Sequence, residues 1–283
     1  MATVEYLLQY GKEQLDKSGN EYSKYERKVL LEEVTGYNYM YLLTHGEEEI
    51  SPEKEKRYYE LLDKRCSHYP LQYLLGYAHF MDYTFYVNEH VLIPRNDTEI
   101  LVEFADSVIS EIQKNKTDSL NILDMCCGSG CIGISLKMYH KDIALTLSDI
   151  SKDALDVTAS NLKRYDLEAS VVQSDLFDNL SGRMDMIVCN PPYIERRVID
   201  TLMPEVKEYE PMMALDGGED GLDFYRRIME QAREYLNPGG YLIFEIGHDQ
   251  GKAVSDLLKK HCFQDIHVIK DYAGLDRVVY GYL

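Results

Sequence analysis

Two short segments combine residue types that ordinarily serve chemistry. In the first, Asp124-Met125-Cys126-Cys127-Gly128-Ser129-Gly130-Cys131-Ile132-Gly133, glycines follow an acid at the end of an apolar run. Glycine allows a sharp backbone turn and close approach of a ligand, and the N-terminus of a following helix offers free N–H groups. The segment therefore reads as a strand-to-helix turn shaped to cradle a nucleotide-like molecule. Asp149 closes the next apolar run, 19 residues beyond Gly130, where a carboxylate can accept both hydroxyls of an adenosine ribose. Asp175, in the stretch 173–177, adds a second carboxylate at the same sheet edge.

The second segment is Met184-Asp185-Met186-Ile187-Val188-Cys189-Asn190-Pro191-Pro192-Tyr193. Two prolines directly after a buried strand end the ladder and stiffen its exit. Proline has no N–H, so the turn presents acceptors. The Asn190 side-chain oxygen and the Pro191 carbonyl can each take one N–H of a substrate –NH2 group, with Tyr193 stacked over its plane. An amide nitrogen is a poor nucleophile because its lone pair is delocalised. Fixing both N–H groups aims that lone pair at an electrophilic methyl, which is catalysis by positioning and preorganised electrostatics. The methylated nitrogen is acidic enough to shed its proton, so no His or Cys is assigned as a base.

Gly128, Gly130 and Gly133 also spell the G-x-G-x-x-G of dinucleotide oxidoreductases. Against that reading, Asp124 stands just before the loop, as in sites for S-adenosyl-L-methionine, where no pyrophosphate is cradled. A purely structural turn is the other alternative. Acids closing three consecutive strands count against it, because ligands bind outside the carboxyl ends of such strands.

Other elements must hold these segments in place. Residues 1–75 read as helices: Val4, Leu7, Leu8 and Leu15 form one stripe, Val29, Leu30 and Val34 another, and Ser51-Pro52 is an N-cap with proline in the first turn. Residues 78–93 are rich in β-branched and aromatic types and predict a hairpin turning at Asn88-Glu89. From Asn121 onward, short apolar strands alternate with helices, which predicts a mostly parallel sheet covered on both faces. The last two strands should form an antiparallel hairpin at one edge.

The composition limits the partners. The chain of 283 residues has a net charge of −19, of which residues 89–283 carry −14. Such acidity repels polyanions and disfavours a nucleic-acid substrate. No apolar run is long enough to cross a membrane and the start lacks a leader pattern, so a cytoplasmic location is expected. Six cysteines lack both disulfide-framework and metal-ligand spacing, so reduced thiols and no metal are expected.

Taken together, the residues resemble the HemK-type methyltransferases, which modify the glutamine of the GGQ motif in peptide chain release factors with S-adenosyl-L-methionine as donor. The resemblance rests on PLQYLLG at 70–76, VLIPRNDTEILVE at 91–103, the glycine loop, Asn190-Pro191-Pro192-Tyr193, the Glu-Pro, Gly-Gly and Asp-Gly-Leu pairings between 210 and 222, and Glu-Ile-Gly at 245–247. It implies a Rossmann-like, seven-stranded α/β methyltransferase domain over 95–283, preceded by a helical bundle at 1–75 that helps hold the release factor and a β-hairpin linker at 76–94. It also implies cofactor contacts from Cys126, Cys127, Gly128, Ser129 and Gly130, from Asp149 at the ribose, from Asp175 and Leu176 around the adenine, and from Asn190. Asn190, Pro191, Pro192 and Tyr193 would hold the target amide.

Two positions depart from the family pattern. Arg95-Asn96-Asp97-Thr98-Glu99 stands where Arg-Pro-Glu-Thr-Glu is usual, and Cys126 replaces a customary glycine. Rival substrates remain. A sister family methylates a glutamine of a ribosomal protein, and adenine-N6 DNA methyltransferases share the Asn-Pro-Pro-Tyr turn but must grip a flipped base with cations. Thr98-Glu99 and the 70–76 segment favour release factors. A non-enzymatic adaptor would need a broken site, whereas Asp124, Gly128, Gly130, Asp149 and Asn190 are all present.

Overall fold

The computed structural model describes residues 1–114 and 119–283. They form two compact units, one of residues 1–76 with 203–209, the other of residues 77–202 with 210–283. The first is helical, with helices Val4–Lys17, Ser23–Thr35, Tyr39–Thr44, Pro52–Cys66 and Leu71–Leu75. Side-chain oxygens of Thr3, Asn38 and Ser51 accept from backbone N–H groups in the first turns of three of these helices, and Pro52 follows its cap as the Ser-Pro pair predicts. Val4, Leu7, Leu15, Leu30, Leu31 and Leu62 are fully buried between the helices. Among them lies a buried cation. Arg65 donates from Nε to Glu26 at 2.6 Å and from Nη2 to Glu205 at 2.7 Å, and a guanidinium out of water is tolerated only when so paired. Glu205 belongs to the short helix Pro204–Lys207, so a stretch of chain from far downstream completes the helical unit.

The second unit opens with a hairpin, β1 (Tyr77–Phe80) and β2 (Tyr83–Tyr86). Its turn is at Met81-Asp82, with Met81 in the left-handed region at φ 51°, and not at the expected Asn88-Glu89. The register pairing Phe80 with Tyr83 buries Phe80 and Phe85 together in the core, and that burial outweighs the better turn propensity of Asn88. Asn88 instead caps a local bend, its Oδ1 accepting from His90 N at 3.1 Å.

The sheet that follows contains β3 (Asn121–Met125), β4 (Ala144–Asp149), β5 (Ser170–Gln173), β6 (Met184–Cys189), β7 (Leu236–Glu245), β8 (Gln264–Lys270) and β9 (Asp276–Tyr282). Its order is β5-β4-β3-β6-β7-β9-β8, parallel except for β9, which is antiparallel to both neighbours. The mixed α/β architecture and edge hairpin are those expected from the alternation. Side chains alternate between faces along each strand. Ile122, Met186, Val188 and Ile243 therefore join one core with helices Glu99–Gln113, Cys131–Tyr139 and Lys152–Arg164, while Leu123, Met125, Ile187 and Phe244 join another with helices Asp223–Tyr235 and Gly251–Lys260. Among the described residues no helix is long and apolar enough to cross a membrane.

Candidate active site

The register brings the chemistry to one edge. Met125 pairs with Ser148 of β4 and with Cys189 of β6, and Cys189 pairs with Phe244 of β7, so these parallel strands finish side by side. The loops after β3, β4, β5 and β6 open on one cavity, at the sheet edge where parallel α/β sheets bind ligands. Cys126, Cys127, Gly128 and Ser129 form one side of its lining, Asp149, Asp175 and Leu176 another, and Asn190 and Pro192 a third. Gly130, Pro191 and Tyr193 do not line it.

The glycine loop is held from below and behind. Asp124 is buried in β3, and its Oδ2 accepts from Gly133 N at 2.8 Å, tying the helix start to the strand. Glycine keeps this approach close, since a Cβ at Gly133 would sit 3.0 Å from Asp124 Oδ2 and 2.8 Å from the Leu147 side chain, which would have to shift. Burial pushes the Asp124 carboxyl up to about 7, with the Gly133 N–H pulling it down and Asp149 adding to the rise. Asp149 accepts from Gly128 N and Ser151 N, each at 2.9 Å, and burial raises it against those backbone donors. Thr158 Oγ1 donates to the Gly128 carbonyl at 2.7 Å and Asn161 Nδ2 to the Ser129 carbonyl at 2.9 Å. Neither Thr158 nor Asn161 announces itself in sequence. Asp175 shares its carboxylate with Arg227 at 2.8 Å, and Arg227 and Phe224 also line the cavity.

The proline turn is assembled from distant parts of the chain. Asn190 Nδ2 donates to Thr98 Oγ1 at 3.4 Å. The Tyr193 hydroxyl donates to the buried Glu245 at 3.1 Å, and the Tyr193 carbonyl accepts from Gln250 Nε2 at 2.9 Å. A buried carboxylate needs donors, which is why the Tyr193 ring turns inward to Glu245. It was expected to stack over a substrate, yet it is absent from the cavity lining. Residues 210–222 close around this turn. Ile194 pairs with Asp216, and a Cβ on Gly217 would lie 2.7 Å from Tyr193 Cα, so Gly217 permits backbone-to-backbone contact. Glu210 accepts from Ile93 N at 3.2 Å and pairs with Arg95, fixing the 91–95 stretch that also lines the cavity. Arg277, on β9, pairs with Asp97 at 3.1 Å and Asp271 at 3.2 Å, so Asp97 is tied to the antiparallel end of the sheet. Arg277, Gln250 and Glu245 were missed as site residues. Only Glu245 carried a signal, as part of Glu-Ile-Gly at 245–247.

Comparison with known proteins places this geometry. Residues 6–76 match the model of the PrmC N-terminal domain and residues 104–206 that of the methyltransferase small domain. The release factor glutamine methyltransferase of Clostridium acetobutylicum is 40% identical over 94% of this chain and 93% of its own length. That of Clostridium botulinum is 42% identical over 90% of each, and that of Geobacter sulfurreducens 36% identical over 99% and 96%. Among solved structures, the hMettl16 catalytic domain with an RNA hairpin superposes at a TM-score of 0.57 and 12% identity, covering 70% of this chain and 74% of that one. The T. thermophilus 16S rRNA N2 G1207 methyltransferase gives 0.51 at 17% identity, covering 73% and 49%. At such identities these two likenesses speak for the fold alone.

Proposed function

The chain belongs to the release factor glutamine methyltransferase family, and from that premise we propose that it transfers a methyl group from S-adenosyl-L-methionine to N5 of the glutamine in the GGQ motif of peptide chain release factors. One observation carries this reading: the glycine loop with Asp149 and the Asn190 turn face a single cavity, so donor and acceptor can meet there.

The residues present fit the cofactor. At Gly128 an added Cβ would meet no protein atom within 4 Å, which leaves the loop open to a ligand. Asp149, fixed by two backbone donors, keeps lone pairs for a ribose. Asp175 and Leu176 would hold the adenine and Cys126, Cys127 and Ser129 would complete the cradle, with Gly130 behind the lining as the left-handed residue that starts the following helix. Once bound, S-adenosyl-L-methionine supplies an electrophilic methyl on a cationic sulfur. The chain's own task is to orient the acceptor. Asn190 Oδ1, on the cavity lining, takes one N–H of the glutamine amide, and the Pro191 carbonyl, next along the turn but outside that lining, would take the other, leaving the nitrogen lone pair to face the cavity. Pro192 stiffens that turn, and Tyr193, anchored on Glu245, holds it from behind. The gain is orientation and preorganised acceptors.

The test is a methyl-transfer assay with labelled S-adenosyl-L-methionine, the full chain, and a release factor beside its GGQ→GGA variant, ribosomal protein and DNA. Label on the wild-type factor alone is expected. Label on ribosomal protein or DNA instead would assign the same site to another substrate.

A further inference from the structure

Behind Asn190 runs a short chain of polar side chains whose direction is set at its far end. Glu245 is wholly buried; its Oε1 accepts from the Tyr193 hydroxyl, while Oε2 lies buried with no partner in hydrogen-bond geometry. The Thr98 hydroxyl is the other side-chain donor beside this carboxylate, and Thr98 Oγ1 is the atom that meets Asn190 Nδ2. An ionised carboxylate only accepts, a hydroxyl has a single proton, and a carboxamide has one donor end and one acceptor end. Asn190 Nδ2 donates to Thr98 Oγ1, so Thr98 spends an acceptor site there and its own proton is free to turn to the buried oxygen of this carboxylate that lacks a donor, Glu245 Oε2.

We propose that Thr98 and Glu245 are positioning residues for Asn190, holding its amide with Oδ1 toward the cavity so that it accepts an N–H of the target amide. This rests on the reading of Asn190 as holder of the glutamine. A flipped Asn190 would present its own N–H groups to the substrate's, two donors facing each other, and the acceptor array would be lost.

The direction of the chain depends on Glu245 being ionised. Burial pushes its carboxyl up to about 6, against the Thr98 and Tyr193 hydroxyls and the Arg277 charge, with Asp97 adding to the rise. Tyr225 and Cys131 are the other titratable groups facing it. Once protonated, Glu245 can itself donate to Thr98, and the order of donors is no longer fixed.

Kinetics of the full chain with release factor and saturating labelled S-adenosyl-L-methionine test this. Thr98→Val keeps the shape but removes the hydroxyl, and is expected to lower kcat about tenfold, the worth of one misdirected hydrogen bond. Cofactor Kd should stay within about twofold, since the glycine loop and Asp149 are untouched, and KM for the release factor should rise less than kcat falls, since a protein substrate docks through many contacts besides this one. Thr98→Ser restores the hydroxyl and is expected to recover most of the turnover, which a merely packing threonine would not require. In the wild type, kcat should fall as pH drops through about 6, and Glu245→Gln should lack that limb. Wild-type turnover in Thr98→Val, a Thr98→Ser no better than Thr98→Val, or an acid limb that survives Glu245→Gln overturns the proposal. Asn190→Ala, run beside them, tells the two levels apart: if it still turns over normally, the reading of Asn190 fails, and if it is dead while Thr98→Val is normal, only the positioning role fails.

Discussion

The two sides of the cavity are built in opposite ways. The cofactor side, from Asp124 to Leu176, is a run of chain in which each loop is fixed mainly by the strand and helix next to it: Asp124 by Gly133, Asp149 by Gly128 and Ser151. The acceptor side gathers residues from across the whole unit: Asn190 bonds to Thr98, Tyr193 to Glu245, Gly217 abuts the Tyr193 backbone, and Arg277 pairs with Asp97 next to Thr98. A local cradle can be changed without disturbing catalysis, whereas a composite one couples every member to the turn it supports. Binding of the donor and orientation of the acceptor should therefore be separable by mutation, and damage should spread more widely on the acceptor side.

The sharpest test of that separation is Asn190→Ala. It is expected to lower kcat by about 10³-fold, as loss of a preorganised polar group at a reacting centre does, while cofactor Kd measured by titration calorimetry holds. A matching loss of cofactor affinity would merge the two sides into one. Next comes Gly217→Ala, whose Cβ meets Tyr193 backbone and cannot be relieved by a rotamer change. Such overpacking should cost about 2–3 kcal/mol, read as a drop in melting temperature, and should reduce turnover although Gly217 touches no ligand. Asp149→Asn is the converse: cofactor Kd should rise roughly 10- to 100-fold for loss of charge-assisted bonds, with kcat at saturation nearly unchanged. Smallest is Cys126→Gly. Cys126 sits at φ 59°, a left-handed conformation that strains a side chain, so glycine should stabilise the chain by about 1 kcal/mol in denaturant titration. Equal stability would mean that the cysteine's packing offsets its strain.

The same contrast explains what the sequence could show. The glycine loop, Asp149 and the alternating strands were legible because they depend on spacing within one βα unit, or, for the last two strands, within one hairpin, where local rules operate. The Asn190 turn was legible for its prolines, but its supports were not: nothing in the order of residues says that Thr98 and Glu245 converge, or that Gly217 lies on Tyr193. Tyr193 shows the limit most clearly. Its aromatic ring suggested stacking, and only the fold reveals a buried carboxylate competing for its hydroxyl. The misplaced hairpin turn has the same origin, since turn propensity at Asn88 is local while the burial of Phe80 and Phe85 is not.

The bond from Arg65 to Glu205 has a further consequence for how the chain is made. The partners are 140 residues apart, and a ribosome adding about 5–20 residues per second needs roughly 7 to 28 s to span that interval. The helical unit thus leaves the exit tunnel with its buried arginine bonded to Glu26 and the Tyr69 carbonyl, and waits for nearly the whole parallel half of the sheet before its second carboxylate arrives. Its final locking is an event late in translation, timed by the synthesis of the unit that carries the chemistry.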